Sequence, residues 1–213
     1  MAVQLSLLEP VAPLLPALPE GFLYRLDLLP PVEEGELVER FADLPLREFE
    51  FRGFLGKRRV VSFGLRYDFA DSRVHLAEPI PDFLLSLRQR AASFAGLAAE
   101  ALEHALVTEY APGAAIGWHR DRPQFGDVIG ISFLSSCRFR FRRSVYPHLN
   151  PPPQAGEGGV RVSRRRPWER SEINLQPRSA YLLRGAARGL WEHSIPPAES
   201  LRYSVTFRTM RAR

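Results

Sequence analysis

A chain of 213 residues, 45% hydrophobic and 25% charged, is long enough for one sizeable core and too apolar to be disordered throughout. The single cysteine, Cys137, excludes an intramolecular disulfide and, with no secretory leader visible, points to a reducing cytosol. Charge is uneven: between Arg138 and Arg170 nine arginines stand against two glutamates, a surplus larger than the +5 carried by the whole chain, as expected of a footprint for a polyanion.

The stretch from Leu5 to Leu18 is apolar but carries Glu9 and is broken by Pro10, Pro13 and Pro16, which rules out a membrane span. Residues 1–30 are therefore expected to form a proline-punctuated arm, and residues 31–213 a single domain. Pro31 followed by early acids predicts a helix over Val32–Ala42, with Leu37, Val38 and Phe41 on one face. Aromatic and β-branched residues punctuated by Gly53, Gly56 and Gly64 predict short strands at 59–63 and 66–69. A second helix is expected from Asp82, as N-cap after Pro81, to about Phe94.

From His104 onward strand follows strand: Leu106–Tyr110, Ile116–His119, Val128–Leu134 and Arg138–Arg143. In the last of these, Arg138, Arg140 and Arg142 take one face, and Phe139 and Phe141 the other. The proline- and glycine-rich segment at about 144–163 cannot bury much and is expected to be a flexible insertion. Strands resume at Trp168–Gln176, Ser179–Arg184, Glu192–Ile195 and Tyr203–Thr209. This order predicts an α+β chain with a two-sheet jelly-roll core behind N-terminal helices.

Two stretches carry chemistry. In Tyr110-Ala-Pro-Gly-Ala-Ala-Ile-Gly-Trp-His-Arg-Asp121, His119 and Asp121 stand two apart, a spacing that puts both on one face of a strand. His193 is the candidate third ligand, and two imidazoles with one carboxylate are the donor set of non-haem Fe(II) oxygenases. Downstream, Leu201-Arg-Tyr-Ser-Val-Thr-Phe-Arg208 alternates so that Arg202 and Arg208 face one way, the side a small dicarboxylate would occupy. A solvated edge strand is the plainer explanation of that alternation taken alone.

Taken together, His119-x-Asp121, His193 and Arg202-x₅-Arg208 resemble the AlkB family of Fe(II)- and 2-oxoglutarate-dependent dioxygenases, over roughly Arg59 to Met210. The resemblance implies a double-stranded β-helix whose N-terminal elements form a lid over a flipped-out nucleotide. It implies that His119, Asp121 and His193 bind Fe(II), and that Tyr110, Arg202, Ser204 and Arg208 hold 2-oxoglutarate beside the O₂ site. It implies further that Tyr67 or Phe69, on a lid strand, stacks on a substrate base opposite the His119 ring. The activity implied is oxidative demethylation of alkylated bases in DNA or RNA, releasing formaldehyde, succinate and CO₂. Backbone phosphates are expected on Arg138, Arg140, Arg142, Arg164, Arg165 and Arg166, and the protein is expected to act as a cytoplasmic monomer away from any membrane.

Two positions depart from the family pattern. Thr108 stands where many members have an asparagine, and Pro123 where nucleic-acid repair members carry an acid that reads the damaged base; Asp127 and Glu109 are the candidate substitutes. Pro123 keeps open the same iron chemistry on a protein side chain or small molecule. A non-catalytic RNA-binding jelly roll is the reading from another class.

Overall fold

The alternating strands of the C-terminal two thirds, joined by three from the N-terminal third, build two sheets, in a computed structural model that describes residues 17–51, 54–68, 71, 73–145 and 168–211. In chain order the strands begin with β1 (Phe22–Arg25), β2 (Arg47–Phe51), β3 (Phe54–Phe63), β4 (Leu65–Asp68), β5 (Arg73–Leu76) and β6 (His104–Tyr110). They continue with β7 (Ile116–His119), β8 (Phe125–Phe133), β9 (Cys137–Ser144), β10 (Trp168–Leu175), β11 (Ala180–Leu183), β12 (Glu192–Ile195) and β13 (Arg202–Met210). Helices α1 (Pro31–Ala42) and α2 (Leu85–Ala95) precede the strand-rich part, and the short α3 (Gly185–Gly189) interrupts it.

The main sheet has seven strands in the order β1-β11-β8-β13-β6-β3-β2, the smaller sheet four in the order β10-β9-β12-β7, and β4 and β5 form a separate hairpin. All three are antiparallel throughout. The jelly-roll expectation is met.

Side-chain alternation then sorts the core. Tyr203, Val205 and Phe207 of β13, with Ile129, Ile131 and Phe133 of β8, pack against Phe41 of α1 and Leu87 and Ala91 of α2. The Phe41 ring meets Phe133 edge-on at 5.1 Å and Tyr203 at 5.6 Å, so α1 is fixed by aromatic contacts as well as by its Leu37–Phe41 stripe. A second core lies between the sheets, where Phe139 and Phe141 of β9 join Phe22, Tyr110, Val128 and Trp191. Gly130 of β8 has no side chain because the Tyr181 ring fills the space that a Cβ would take.

Several expectations are corrected. The arm assigned to residues 1–30 is part of the fold from Phe22, because β1 pairs with β11 and Leu28 and Leu29 are buried; residues 1–16 lie outside the described set. Asp82 does not cap a helix. It opens a 3-10 turn, Asp82–Leu84, and Pro81, with extended backbone, takes the cap position without a side-chain bond. Helix α2 ends where Gly96 adopts the left-handed conformation, φ +68°, which costs glycine little. The insertion expected at 144–163 falls mostly outside the described residues, and its first residue, Ser144, closes β9.

Candidate active site

The small sheet brings the two histidines together. Strand β12 pairs with β7 so that His193 lies directly across from His119, the ring centroids 4.3 Å apart. Nδ1 of His119 donates to the Gly117 carbonyl at 2.9 Å, which leaves the lone pair on Nε2. Burial, then the neighbouring His119, pushes the His193 pKa down to about 3, so this ring is neutral and available as a ligand near pH 7.

Asp121 reaches the pair by a different route from the one its spacing suggested. Strand β7 ends at His119, so alternation on a strand does not aim the carboxylate. Arg208 does: its Nε donates to Oδ1 at 3.0 Å and its Nη2 lies 2.9 Å from the same oxygen. The other oxygen, Oδ2, lies 3.5 Å from His193 Nε2. Burial alone would raise the Asp121 pKa, but Arg208 and then the histidines outweigh it and hold the carboxyl below the ordinary range. Arg208 is itself fixed from behind, since Nη1 donates to His104 Nδ1 at 3.2 Å. That buried histidine is a site residue the sequence did not disclose, for lack of a partner at ligand spacing.

Arg202 is the most buried charged residue among the described residues, 1% exposed, on the same face of β13 as Arg208. Its Nη2 donates to Ser132 Oγ at 2.9 Å, and the guanidinium sits 4.7 Å from the centre of the Tyr110 ring. Nε and Nη1 are buried with no hydrogen-bond partner. A buried cation with two unsatisfied N–H donors is costly unless an anion joins it. The Tyr110 hydroxyl and Ser204 Oγ lie 3.4 Å apart, and Tyr110 is in register with Arg202 across β6–β13. Thr108 is buried across β6–β13 from Ser204, so a hydroxyl stands where the resembled family often has an amide.

The expected substrate residues fare unevenly. Tyr67 lies on β4 with the Arg122 guanidinium 4.8 Å from its ring, next to the Asp121 segment, whereas Phe69 lies outside the described residues. Neither candidate for the missing base-reading acid is available. Glu109 faces the helix side of the sheet, where it accepts from Arg59 Nε and Nη2, both at 2.7 Å, and from the Tyr203 hydroxyl at 3.0 Å. Asp127 accepts from Arg184 Nε at 2.7 Å.

The arginine row of β9 does face outward, but it is no bare cationic strip. Arg138 donates to Glu172 at 2.8 Å and Arg142 to Glu192 at 2.7 Å, while Arg140 donates to Ser194 Oγ at 3.1 Å. The Arg142 guanidinium lies between Trp118 and Trp168, 4.5 and 4.4 Å from their ring centres. Arg164, Arg165 and Arg166 lie outside the described residues. Apart from the His119–Asp121–His193 cluster, His75 with Asp68 and Asp71 brings three ligand atoms within 4.8 Å of one another on the β4–β5 hairpin, and its Nε2 is 2.7 Å from Asp71 Oδ2.

A sequence profile described as the 2OG-Fe(II) oxygenase superfamily matches residues 46–211. The chain belongs to this superfamily, and it is AlkB-like. It is 31% identical over 153 residues to the Arabidopsis thaliana protein named alkylated DNA repair protein ALKBH8 homolog, a match covering 67% of this chain and 42% of the relative. It is 28% identical over 146 residues to the Danio rerio protein named probable RNA/DNA demethylase ALKBH6, covering 68% of this chain and 60% of that one. The chain thus spans about half the length of these curated relatives. Its fold is that of the solved structure of OsALKBH1, with a TM-score of 0.61 at 15% identity, covering 89% of this chain and 96% of the other.

The AlkB-like site also fits the cofactors that its superfamily uses. Two neutral imidazoles and one carboxylate oxygen face one another, and Arg202, with two buried donors unpartnered, lies where it could pair with a carboxylate. No helix among the described residues is long and apolar enough to cross a membrane.

Proposed function

We propose that this chain is an Fe(II)- and 2-oxoglutarate-dependent dioxygenase that demethylates alkylated bases in DNA or RNA. The observation that carries the reading is the pairing of two features on one face: the His119–Asp121–His193 cluster and the buried, unsatisfied guanidinium of Arg202. In this reading the three side chains would hold the metal, and Asp121 would have Oδ2 to offer because Arg208 occupies Oδ1. Arg202 takes the distal carboxylate of 2-oxoglutarate through Nε and Nη1, with the Tyr110 and Ser204 hydroxyls as further donors. Metal, cosubstrate and O₂ together supply an oxidation that hydroxylates an N-methyl carbon, and loss of formaldehyde from that product leaves the base repaired while succinate and CO₂ depart.

The chain's own part is positioning and exclusion of water. The Phe139 ring packs against His193 at 5.3 Å and closes the site from the core side. In this reading Tyr67, on the β4–β5 hairpin with the Arg122 guanidinium 4.8 Å from its ring, covers a base opposite the His119 ring, and the hairpin acts as the lid. Support for a nucleic-acid substrate comes from the names of the relatives. The test is incubation with Fe(II), 2-oxoglutarate and methylated single-stranded oligonucleotides, reading formaldehyde and the mass of the oligonucleotide. Loss of one methylene mass unit in the wild type, and none with His119→Ala, is expected; succinate formation with every oligonucleotide left intact would defeat the substrate assignment.

A second reading, the same chemistry on a protein side chain or small molecule, is favoured by one observation. Pro123 is exposed and cannot read a base edge, and Glu109 and Asp127 are both held by arginines. The same incubation separates the two, because succinate release stimulated by a peptide pool and not by oligonucleotides would select it.

A further inference from the structure

Strand β3 carries two consecutive arginines that meet opposite fates. Arg59 lies across from Glu109 and forms a two-pronged ion pair with it on the helix side of the main sheet. Arg58 lies across from Tyr110, and directly paired residues of an antiparallel ladder point to the same face. Its side chain is therefore on the site face, in a row that continues through Tyr110 to Arg202.

That guanidinium is held but not neutralised. It sits 3.9 Å above the Phe49 ring. Gly56, the residue in register with Phe49, has no side chain to interfere. Among the described residues Arg58 has no hydrogen-bond or ion-pair partner. Burial disfavours its charge, Tyr110 partly offsets this, Arg208 adds repulsion, and the guanidinium is close enough to His119 to disfavour that ring's protonation. The other two arginines on this face have assigned anions: Arg208 has Asp121, and Arg202 awaits the cosubstrate. A partly desolvated cation held on an aromatic ring, on the face that carries the candidate site, calls for an anion from outside the chain.

We propose that Arg58 is a substrate-binding residue whose guanidinium takes a backbone phosphate of the strand that presents its base to His119, a role that rests on the nucleic-acid reading above. Phosphate is the anion that every nucleotide of such a strand carries, and planar two-pronged recognition of it suits arginine. The inference also relocates the phosphate grip. Sequence pointed to the outer row of β9, where Arg138 and Arg142 are paired with glutamates, whereas Arg58 lies on the face that the chemistry uses.

The experiment is a salt series of fluorescence anisotropy with a labelled, methylated single-stranded oligonucleotide. The proteins are the metal-free wild type, Arg58→Gln and Arg58→Lys, repeated with Mn(II) and 2-oxoglutarate present. Arg58→Gln is expected to bind about tenfold more weakly at low salt, and to lower the slope of log affinity against log salt by ~0.7, the value for one phosphate contact to a single strand. Arg58→Lys should keep the wild-type slope, because it keeps the charge and shows that the fold survives substitution. Equal slopes for wild type and Arg58→Gln would overturn the proposal, as would an Arg58→Lys slope as shallow as that of Arg58→Gln, or no binding by the wild type. Formaldehyde release in parallel separates this from the reaction itself: a slope change without any demethylation leaves Arg58 on phosphate and defeats the demethylase reading, and demethylation with equal slopes does the reverse.

Discussion

On the helix side of the main sheet, Tyr203, Val205 and Phe207 lock against α1 and α2, and the buried carboxylate of Glu109 is fully occupied by Arg59 and Tyr203. On the other side of the same strands stand the buried Arg202, Ser204 and Thr206 and the partly buried Arg208, and Arg202 has two donors left over. The first face satisfies itself and holds the protein together. The second is incomplete until something binds. A single strand, β13, thus supplies both stability and reactivity, because its two-residue period assigns alternate side chains to different tasks.

Breaking each face should therefore give different losses. Asp121→Ala removes the carboxylate that Arg208 orients, and 2-oxoglutarate turnover should fall by at least ~100-fold with a matching loss of Mn(II) affinity in a calorimetric titration. Phe207→Ala on the opposite face should cost ~3–5 kcal/mol in urea unfolding, with the 2-oxoglutarate affinity of the folded fraction unchanged. Glu109→Gln weakens the Arg59 and Tyr203 bonds and should cost ~1–2 kcal/mol in the same assay, while leaving the choice of substrate untouched if Glu109 is no base reader.

The smallest effect concerns pH. Burial, then repulsion from Arg208, holds the His104 pKa well below its ordinary value. As pH falls below ~6.5 the unfolded chain takes up this proton first, so stability that is intact above that pH is lost on acidification, at no more than ~1.4 kcal/mol per pH unit from this group. His104→Gln keeps an acceptor for Arg208 and should flatten the slope of urea midpoint against pH between about 6.5 and 5. An unchanged slope would show that His104 is protonated or exposed in the folded protein.

Alternation made much of the architecture legible. It placed Phe139 and Phe141 inside and Arg138, Arg140 and Arg142 outside, and it put Arg202 and Arg208 on one face. What escaped was whatever depends on pairing across the fold. β1 is four residues long with Leu23 51% exposed, too short and too mixed to signal a strand without β11 beside it. Glu172 and Glu192 neutralise the arginine row only because β10 and β12 flank β9 in a particular register. The same limit hid the role of Arg208, since Asp121 lies beyond the end of its strand and is aimed by an arginine 87 residues away. Arg58 and Arg59 look alike in sequence, and only the β3–β6 register tells them apart.

The two unsatisfied nitrogens of Arg202 mark the polar face of β13 as the place where 2-oxoglutarate would bind. Calorimetric titration of 2-oxoglutarate into Mn(II)-loaded wild type and Arg202→Met tests it directly. The account predicts binding at one site in the wild type and an affinity at least ~100-fold weaker in the variant, as expected when a buried carboxylate loses its charged partner. Without 2-oxoglutarate, Arg202→Met should melt no lower than the wild type, because methionine fills the space and needs no partner. Equal affinity for 2-oxoglutarate in the two proteins would contradict the assignment.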